Sequence, residues 1–117
     1  MCSSDLYGAR LRSYRFDKYR TKEKASDKPS LKSIVFQAER FETSRKAYAH
    51  FDKIADGVFF TRDLVSEPAN ILYPAELAKR TEDQLKKLGV KVEVLGEAQM
   101  KKLGMGSLLG EIRRAHV

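Results

Sequence analysis

Apolar side chains in the middle of the chain recur every three or four residues, which is the repeat of an α-helix with one buried face. Thr43 or Ser44 is predicted to cap the start of this helix, and Pro68 disfavours helical backbone at Glu67. The pattern therefore predicts a helix of about 22 residues, a length that suits a connector between two domains. Gly57 inside it suggests close packing at that point. The stripe comprises Tyr48, Phe51, Ile54, Ala55, Val58, Phe59, Arg62 and Val65.

Two other segments alternate between apolar and polar positions in the manner of β-strands. Residues 31–39, LKSIVFQAE, carry apolar groups on both faces, which is typical of an internal strand of an α/β sheet. Residues 90–95, VKVEVL, place three valines on one face and predict a half-buried strand.

Helices are predicted on both sides of these strands. They cover residues 6–20, 74–88 and 97–103, with Gly89 and Gly104 as C-terminal caps and a glycine-rich loop over residues 104–110. Helix, strand and helix in this order form a unit of a parallel sheet. The sequence therefore predicts the α/β class, as a fragment with a long interdomain helix and an incomplete parallel or mixed sheet.

Charge is unevenly distributed along the chain, whose net charge is +7. Residues 1–46 hold 12 Lys/Arg against 6 Asp/Glu, whereas residues 47–117 hold 11 against 10. Basic residues near aromatic rings can bind nucleic acid, but a solvated basic helix face explains them as well. The alternative function is therefore a small basic module that binds nucleic acid or a protein partner. Its binding would depend on Arg10, Arg12, Arg15 and Arg20.

Residues that could carry chemistry are sparse. The chain has no CxxC pair, HExxH segment, nucleophile elbow or P-loop. Its single cysteine, Cys2, has no intrachain disulfide partner, and its two histidines, His50 and His116, lie far apart in sequence and are interpreted as packing or capping groups. The acidic residues of the long helix are interpreted as a solvated face rather than an acid–base pair. They are Asp52, Asp56, Asp63 and Glu67.

Three blocks resemble the leucyl aminopeptidase family, also called the cytosol aminopeptidases, in the family's order. YRFDKYRTKEK with LKSIVFQAE is similar to the end of the family's N-terminal domain. IADGVFFTRDLVSEPANILYPAELA is similar to its interdomain helix, and LKKLGVKVEVLGEAQMKKLGMGSLLG to the first helix–strand–helix of its catalytic domain. The resemblance covers roughly residues 7 to 110 and implies domain limits of 1–42, 43–67 and 68–117, the last truncated.

The resemblance implies a cytoplasmic metallo-aminopeptidase that removes N-terminal residues, often leucine, from peptides. Family members use two divalent cations, manganese or zinc, to activate a bridging water, and they assemble as hexamers. The family's ligand-bearing blocks, GKGxxFDxGG and NTDAEGR, have no counterpart in the chain. No catalytic, cofactor-binding or metal residue is therefore predicted here, and the chain alone is expected to be inactive, with no metal bound. Neither a membrane nor nucleic acid is an expected partner.

The two ends depart from the family pattern. MCSSDL at the start and EIRRAHV at the end resemble the translations VCSSDL and IGRAHV of a sequencing adapter. On this interpretation Cys2 and His116 have no function. Because strand partners are missing, the isolated chain is expected to be marginally stable or to aggregate.

Overall fold

The computed structural model describes residues 2–114, and the side chains of residues 4–110. Its α-helices are α1 (Cys2–Arg12), α2 (Phe41–Ser66), α3 (Pro74–Lys87), α4 (Glu97–Lys102) and α5 (Gly106–Arg114), and a short 3₁₀ turn covers Ala25–Asp27. The chain divides into two compact units, Met1–Pro68 and Ala69–Val117. The first unit contains α1 and α2, and the second contains α3, α4 and α5.

The predicted α/β class is wrong: residues 2–114 contain helices and irregular segments but no β-strand. Residues 31–38 and 90–96, where strands were predicted, have no regular structure. A strand exists only when its backbone N–H and C=O groups bond to a neighbouring strand, and no such neighbour occurs within residues 2–114. Apolar side chains in these segments consequently lie open, Val35 at 91% of its full exposure.

Helix α2 is longer than predicted, with 26 residues from Phe41 to Ser66. The predicted caps Thr43 and Ser44 lie inside it, and Arg40 precedes the first turn without a side-chain capping bond. The predicted end is confirmed, because Glu67 has extended backbone (φ −70°, ψ 139°) immediately before Pro68. A proline forces this change because its ring clashes with helical backbone in the residue before it.

Helix α1 ends at Arg12, eight residues earlier than predicted. The Ser13 hydroxyl donates to the Arg10 carbonyl at 2.7 Å, a local bond that competes with continuation of the helix. The following residues leave the helical path. Tyr14 then contacts α2 through its ring and its hydroxyl.

The two glycine caps predicted in the second unit are confirmed. Gly89 follows α3 with φ +75°, and Gly104 follows α4 with φ +72°, a left-handed conformation that favours glycine. Pro74 occupies the first turn of α3 as expected. The predicted loop over residues 104–110 is wrong from Gly106 onward, because Gly106–Arg114 forms α5 and packs on α4.

Gly57 does not mark close packing. A methyl group built at its α-carbon would meet no other atom within 4 Å. Glycine costs a helix interior up to about 1 kcal/mol relative to alanine, mainly through backbone entropy. We therefore expect Gly57→Ala to raise the free energy of unfolding by about 0.5–1 kcal/mol, measured by urea titration of the circular dichroism signal at 222 nm. A loss of stability would show that a neighbour does occupy this space.

No helix among residues 2–114 combines the length and the apolar character needed to cross a membrane.

Candidate functional site

The most extensive constellation of side chains joins the N-terminal segment, residues 7–19, to one face of α2. We call it the charge ladder. Its acidic side is formed by Asp52, Asp56, Asp63 and Glu67. Its partners are Arg10, Tyr14, Lys18 and Tyr19.

Arg10 forms the first rung and binds two carboxylates one turn apart on α2. Its Nε lies 2.9 Å from Asp52 Oδ1, and its Nη2 donates to Asp56 Oδ1 at 2.7 Å. The guanidinium also lies over the ring of Phe59, 5.2 Å from the centroid. One arginine thus bridges acids that would repel each other on the same helix face.

Aromatic rings fill the spaces between the rungs. Tyr7 contacts Phe51 at 5.3 Å between centroids, and Tyr14 contacts Phe59 at 5.2 Å. Ala55 is fully buried, and it lies one turn from each of the two phenylalanines. The small side chain lets the N-terminal segment approach α2 between the flanking rings.

Asp63 forms the second rung. The Tyr14 hydroxyl donates to Asp63 Oδ1 at 2.8 Å, and Arg62 Nη1 donates to the Leu11 carbonyl at 3.1 Å. Burial of the phenol, and then its bond to Asp63, raise the pKa of Tyr14.

Glu67 forms the last rung, where α2 ends. Its side chain is 3% exposed. Lys18 Nζ donates to Oε1 at 2.6 Å, and the Tyr19 hydroxyl donates to Oε2. The bond to Glu67 raises the pKa of both Lys18 and Tyr19. A cation at the C-terminus of a helix also interacts favourably with the helix dipole.

Asp56 and Asp63 are exposed, as a solvated face requires, whereas the Glu67 side chain is buried; the contacts add that this face has partners. Asp52, Asp56, Asp63 and Glu67 each bind a residue of the N-terminal segment. Sequence reasoning missed the pairing because the partners lie 42 to 49 residues apart. The sequence does show a basic and aromatic N-terminal segment together with acidic residues at helical spacing. This pattern indicates that the two segments could pair, but it does not say which residues pair with which.

The ladder does not fit a metal centre. Its carboxylates already accept from arginine, lysine or tyrosine, and those donors would have to be displaced. Among the side chains that the structure describes, no group of three or more His, Cys, Asp or Glu could hold a metal ion. His50 lies exposed on α2, 6.0 Å from the ring of Phe51, whereas His116 falls outside the described residues.

The four arginines of the alternative binding module are not equivalent. Arg10 is held by Asp52 and Asp56, and Arg15 pairs with Glu23 and lies 3.5 Å from Asp17. Arg20 lies 3.7 Å from the same Glu23. Arg12 is exposed and, in the part of the chain that is described, has no carboxylate partner.

Raised pKa values in the ladder predict sensitivity to alkaline pH. A raised pKa means that the folded state favours the protonated group, so the stabilisation is complete below the ordinary values of 10.0 for Tyr19 and 10.5 for Lys18. The stabilisation is lost as the pH rises through the raised pKa values, where Tyr19 and Lys18 lose their protons in the folded state. We expect the urea midpoint to fall above about pH 10, and Tyr19→Phe to weaken this dependence.

The control for this prediction is Tyr73→Phe, which removes an exposed phenol outside the ladder. It should leave the alkaline fall of the midpoint unchanged. Equal pH profiles for Tyr19→Phe and the unsubstituted chain would contradict the role given to the bond between Tyr19 and Glu67.

Comparison with known proteins gives one family. Residues 59–115 match the catalytic domain of the cytosol aminopeptidase family. A probable cytosol aminopeptidase of Caulobacter vibrioides is 56% identical over 104 residues, which are 89% of this chain and 21% of that protein. Similar proteins of Bradyrhizobium sp. and Rickettsia rickettsii are 49% and 48% identical over 108 and 103 residues.

The chain spans about a fifth of the length of these relatives. The alignments cover 92% of the chain and 21% of the protein for Bradyrhizobium, and 88% and 21% for Rickettsia. No solved structure matches the chain.

Proposed function

The chain belongs to the cytosol aminopeptidase family, and from this membership we propose that it is a piece of a metal-dependent enzyme that hydrolyses N-terminal residues from peptides. The observation that carries the proposal is 56% identity over 104 residues to a probable cytosol aminopeptidase. Identity at this level extends over both compact units, so it does not depend on one short motif. The family consists of metallopeptidases that need divalent metal ions.

The domain limits of the proposal follow the resemblance. Residues 1–42 belong to the end of the N-terminal domain, 43–67 to an interdomain helix and 68–117 to the start of the catalytic domain. The length of α2 supports the second assignment, since 26 residues reach about 39 Å at 1.5 Å per residue. The charge ladder then holds the N-terminal segment against this helix.

The chemistry of the proposed enzyme would reside outside these 117 residues. The blocks GKGxxFDxGG and NTDAEGR are missing from the sequence, and the ladder carboxylates are committed to basic and phenolic partners. We therefore place the metal ligands, two manganese or zinc ions and the peptide-binding residues in the remainder of the protein. A cytoplasmic homo-hexamer is the assembly and location that we propose for the whole.

Activity measurements test this proposal directly. The chain should release no p-nitroaniline from leucine p-nitroanilide with added manganese or zinc. A version extended along its genomic DNA to the length of the relatives should release it, and a chelator should abolish the release. An extended version that remains inactive with either metal would overturn the proposed function, and activity of the 117-residue chain would overturn the placement of the metal ligands.

A further inference from the structure

A cavity of about 810 Å³ lies between the end of α1 and the loop that follows the 3₁₀ turn. Arg12, Arg15 and Arg20 are the basic residues of its wall and Asp27 is the acidic one. Its apolar residues include Pro29, Leu31 and Ile34. The cavity lies wholly within the first compact unit and separate from the charge ladder's carboxylates. Its volume falls within the range of about 300–1,000 Å³ typical of small-ligand sites.

The basic wall of this cavity is incompletely neutralised. Arg15 pairs with the Glu23 carboxylate. Arg20 lies 3.7 Å from the same carboxylate and therefore shares it with Arg15. Arg12 has no carboxylate partner within the described residues. The three arginines of the wall are accompanied by two acidic residues, Asp27 in the wall and Glu23 paired with Arg15, so one positive charge is in excess. The arginines that α2 does not bind therefore leave an excess of positive charge on this side of the unit.

The chemistry of the wall selects a kind of ligand. Guanidinium groups bind phosphate oxygens through paired, charge-assisted hydrogen bonds. The apolar side chains of Leu31 and Ile34 are more than half exposed, at 70% and 51%, so they offer contact area to a ligand body. A bare inorganic ion would use the arginines alone and leave this area uncovered.

We propose that this cavity binds a small phosphate monoester whose apolar or aromatic body lies against Pro29, Leu31 and Ile34. Arg12 and Arg20 bind the phosphate, and Arg15, which is paired with Glu23, lines the same cavity. The proposal concerns a site separate from peptide hydrolysis and does not depend on the proposed function.

Nuclear magnetic resonance titration of the ¹⁵N-labelled chain with phenyl phosphate and with inorganic phosphate tests this site. We expect saturable shifts confined to residues 12–15, 20 and 29–34, with phenyl phosphate bound several-fold more tightly. The double variant Arg12→Gln/Arg20→Gln should weaken phenyl phosphate binding about tenfold, because it removes both paired hydrogen-bonding groups. The matched control Arg45→Gln/Lys46→Gln removes the same charge from an exposed part of α2 and should keep the affinity.

A second variant separates the phosphate site from folding effects and from general charge. Arg12→Lys/Arg20→Lys keeps the charge and should weaken binding about threefold, since lysine cannot make the paired contact. Circular dichroism at 222 nm should be unchanged in all three double variants. The proposal would be overturned if the α2 control lost as much affinity for phenyl phosphate as Arg12→Gln/Arg20→Gln. Chemical shift changes spread over the whole chain would also overturn it. So would tighter binding of a single-stranded oligonucleotide that both glutamine variants weaken to the same extent.

Discussion

Replacing Ala55 with leucine is expected to lower the free energy of unfolding of the first unit by about 2 kcal/mol. Ala55 is fully buried on the face of α2 that the N-terminal segment covers, between the rings of Phe51 and Phe59. Leucine adds three carbon atoms where no space exists, so α1 must move outward. That movement also lengthens the contacts of Arg10 with both of its carboxylates, which depend on the same approach.

The matched control is Ala49→Leu, the same substitution at an exposed position of the same helix. It should change stability by no more than about 0.5 kcal/mol. Urea titration followed by the near-ultraviolet dichroism of the tyrosines reports on the first unit, which contains Tyr7, Tyr14, Tyr19 and Tyr48. Equal effects at the two positions would show that α1 does not pack on Ala55.

Local backbone rules predicted the ends of several helices correctly. Pro68 ended α2 through a clash with the residue before it, and Gly89 and Gly104 took the left-handed conformation that their position after a helix requires. Such signals act over a few residues, so one sequence contains everything needed to interpret them. The family resemblance was also readable, and the comparisons confirm it.

The predicted sheet failed for the opposite reason. Alternation in residues 31–39 and 90–95 reports a preference for burial on a pleated surface, but the hydrogen bonds that make a strand come from another part of a chain. The sequence pattern cannot supply that partner, and residues 2–114 contain none. Val35 and Val94 therefore remain exposed, although the pattern predicted that they would be buried against a sheet.

The charge ladder was unpredictable because its pairs are distant in sequence. A solvated face and a face that binds Arg10, Tyr14 and Lys18 have the same acidic spacing along α2. Only the path of the N-terminal segment decides between them, and that path changes where α1 ends at Arg12. In the helix predicted through residue 20, Tyr14 and Lys18 would share the face of Tyr7, and periodicity alone does not say which carboxylates of α2 that face meets.

Phe59→Ala tests how much of the stability of the first unit comes from the aromatic part of the ladder. Phe59 contacts the Tyr14 ring on one side and the Arg10 guanidinium on another, at 5.2 Å in both cases. Truncation of a fully buried phenylalanine costs about 3–5 kcal/mol. Because Phe59 is only half-buried, we expect a loss of about 2–3 kcal/mol, which includes the ring and cation–π contacts.

Phe41→Ala, at the exposed first residue of α2, is the control and should cost no more than about 0.5 kcal/mol. A double-mutant cycle with Tyr14→Leu should give a coupling of about 0.5–1.5 kcal/mol with Phe59→Ala, because the two rings share one contact. Coupling near zero, or equal losses at Phe59 and Phe41, would mean that the charged pairs alone hold the N-terminal segment. Exposed ion pairs contribute at most about 1 kcal/mol each, so added salt would then weaken the contacts of Arg10 more than those of the buried Glu67.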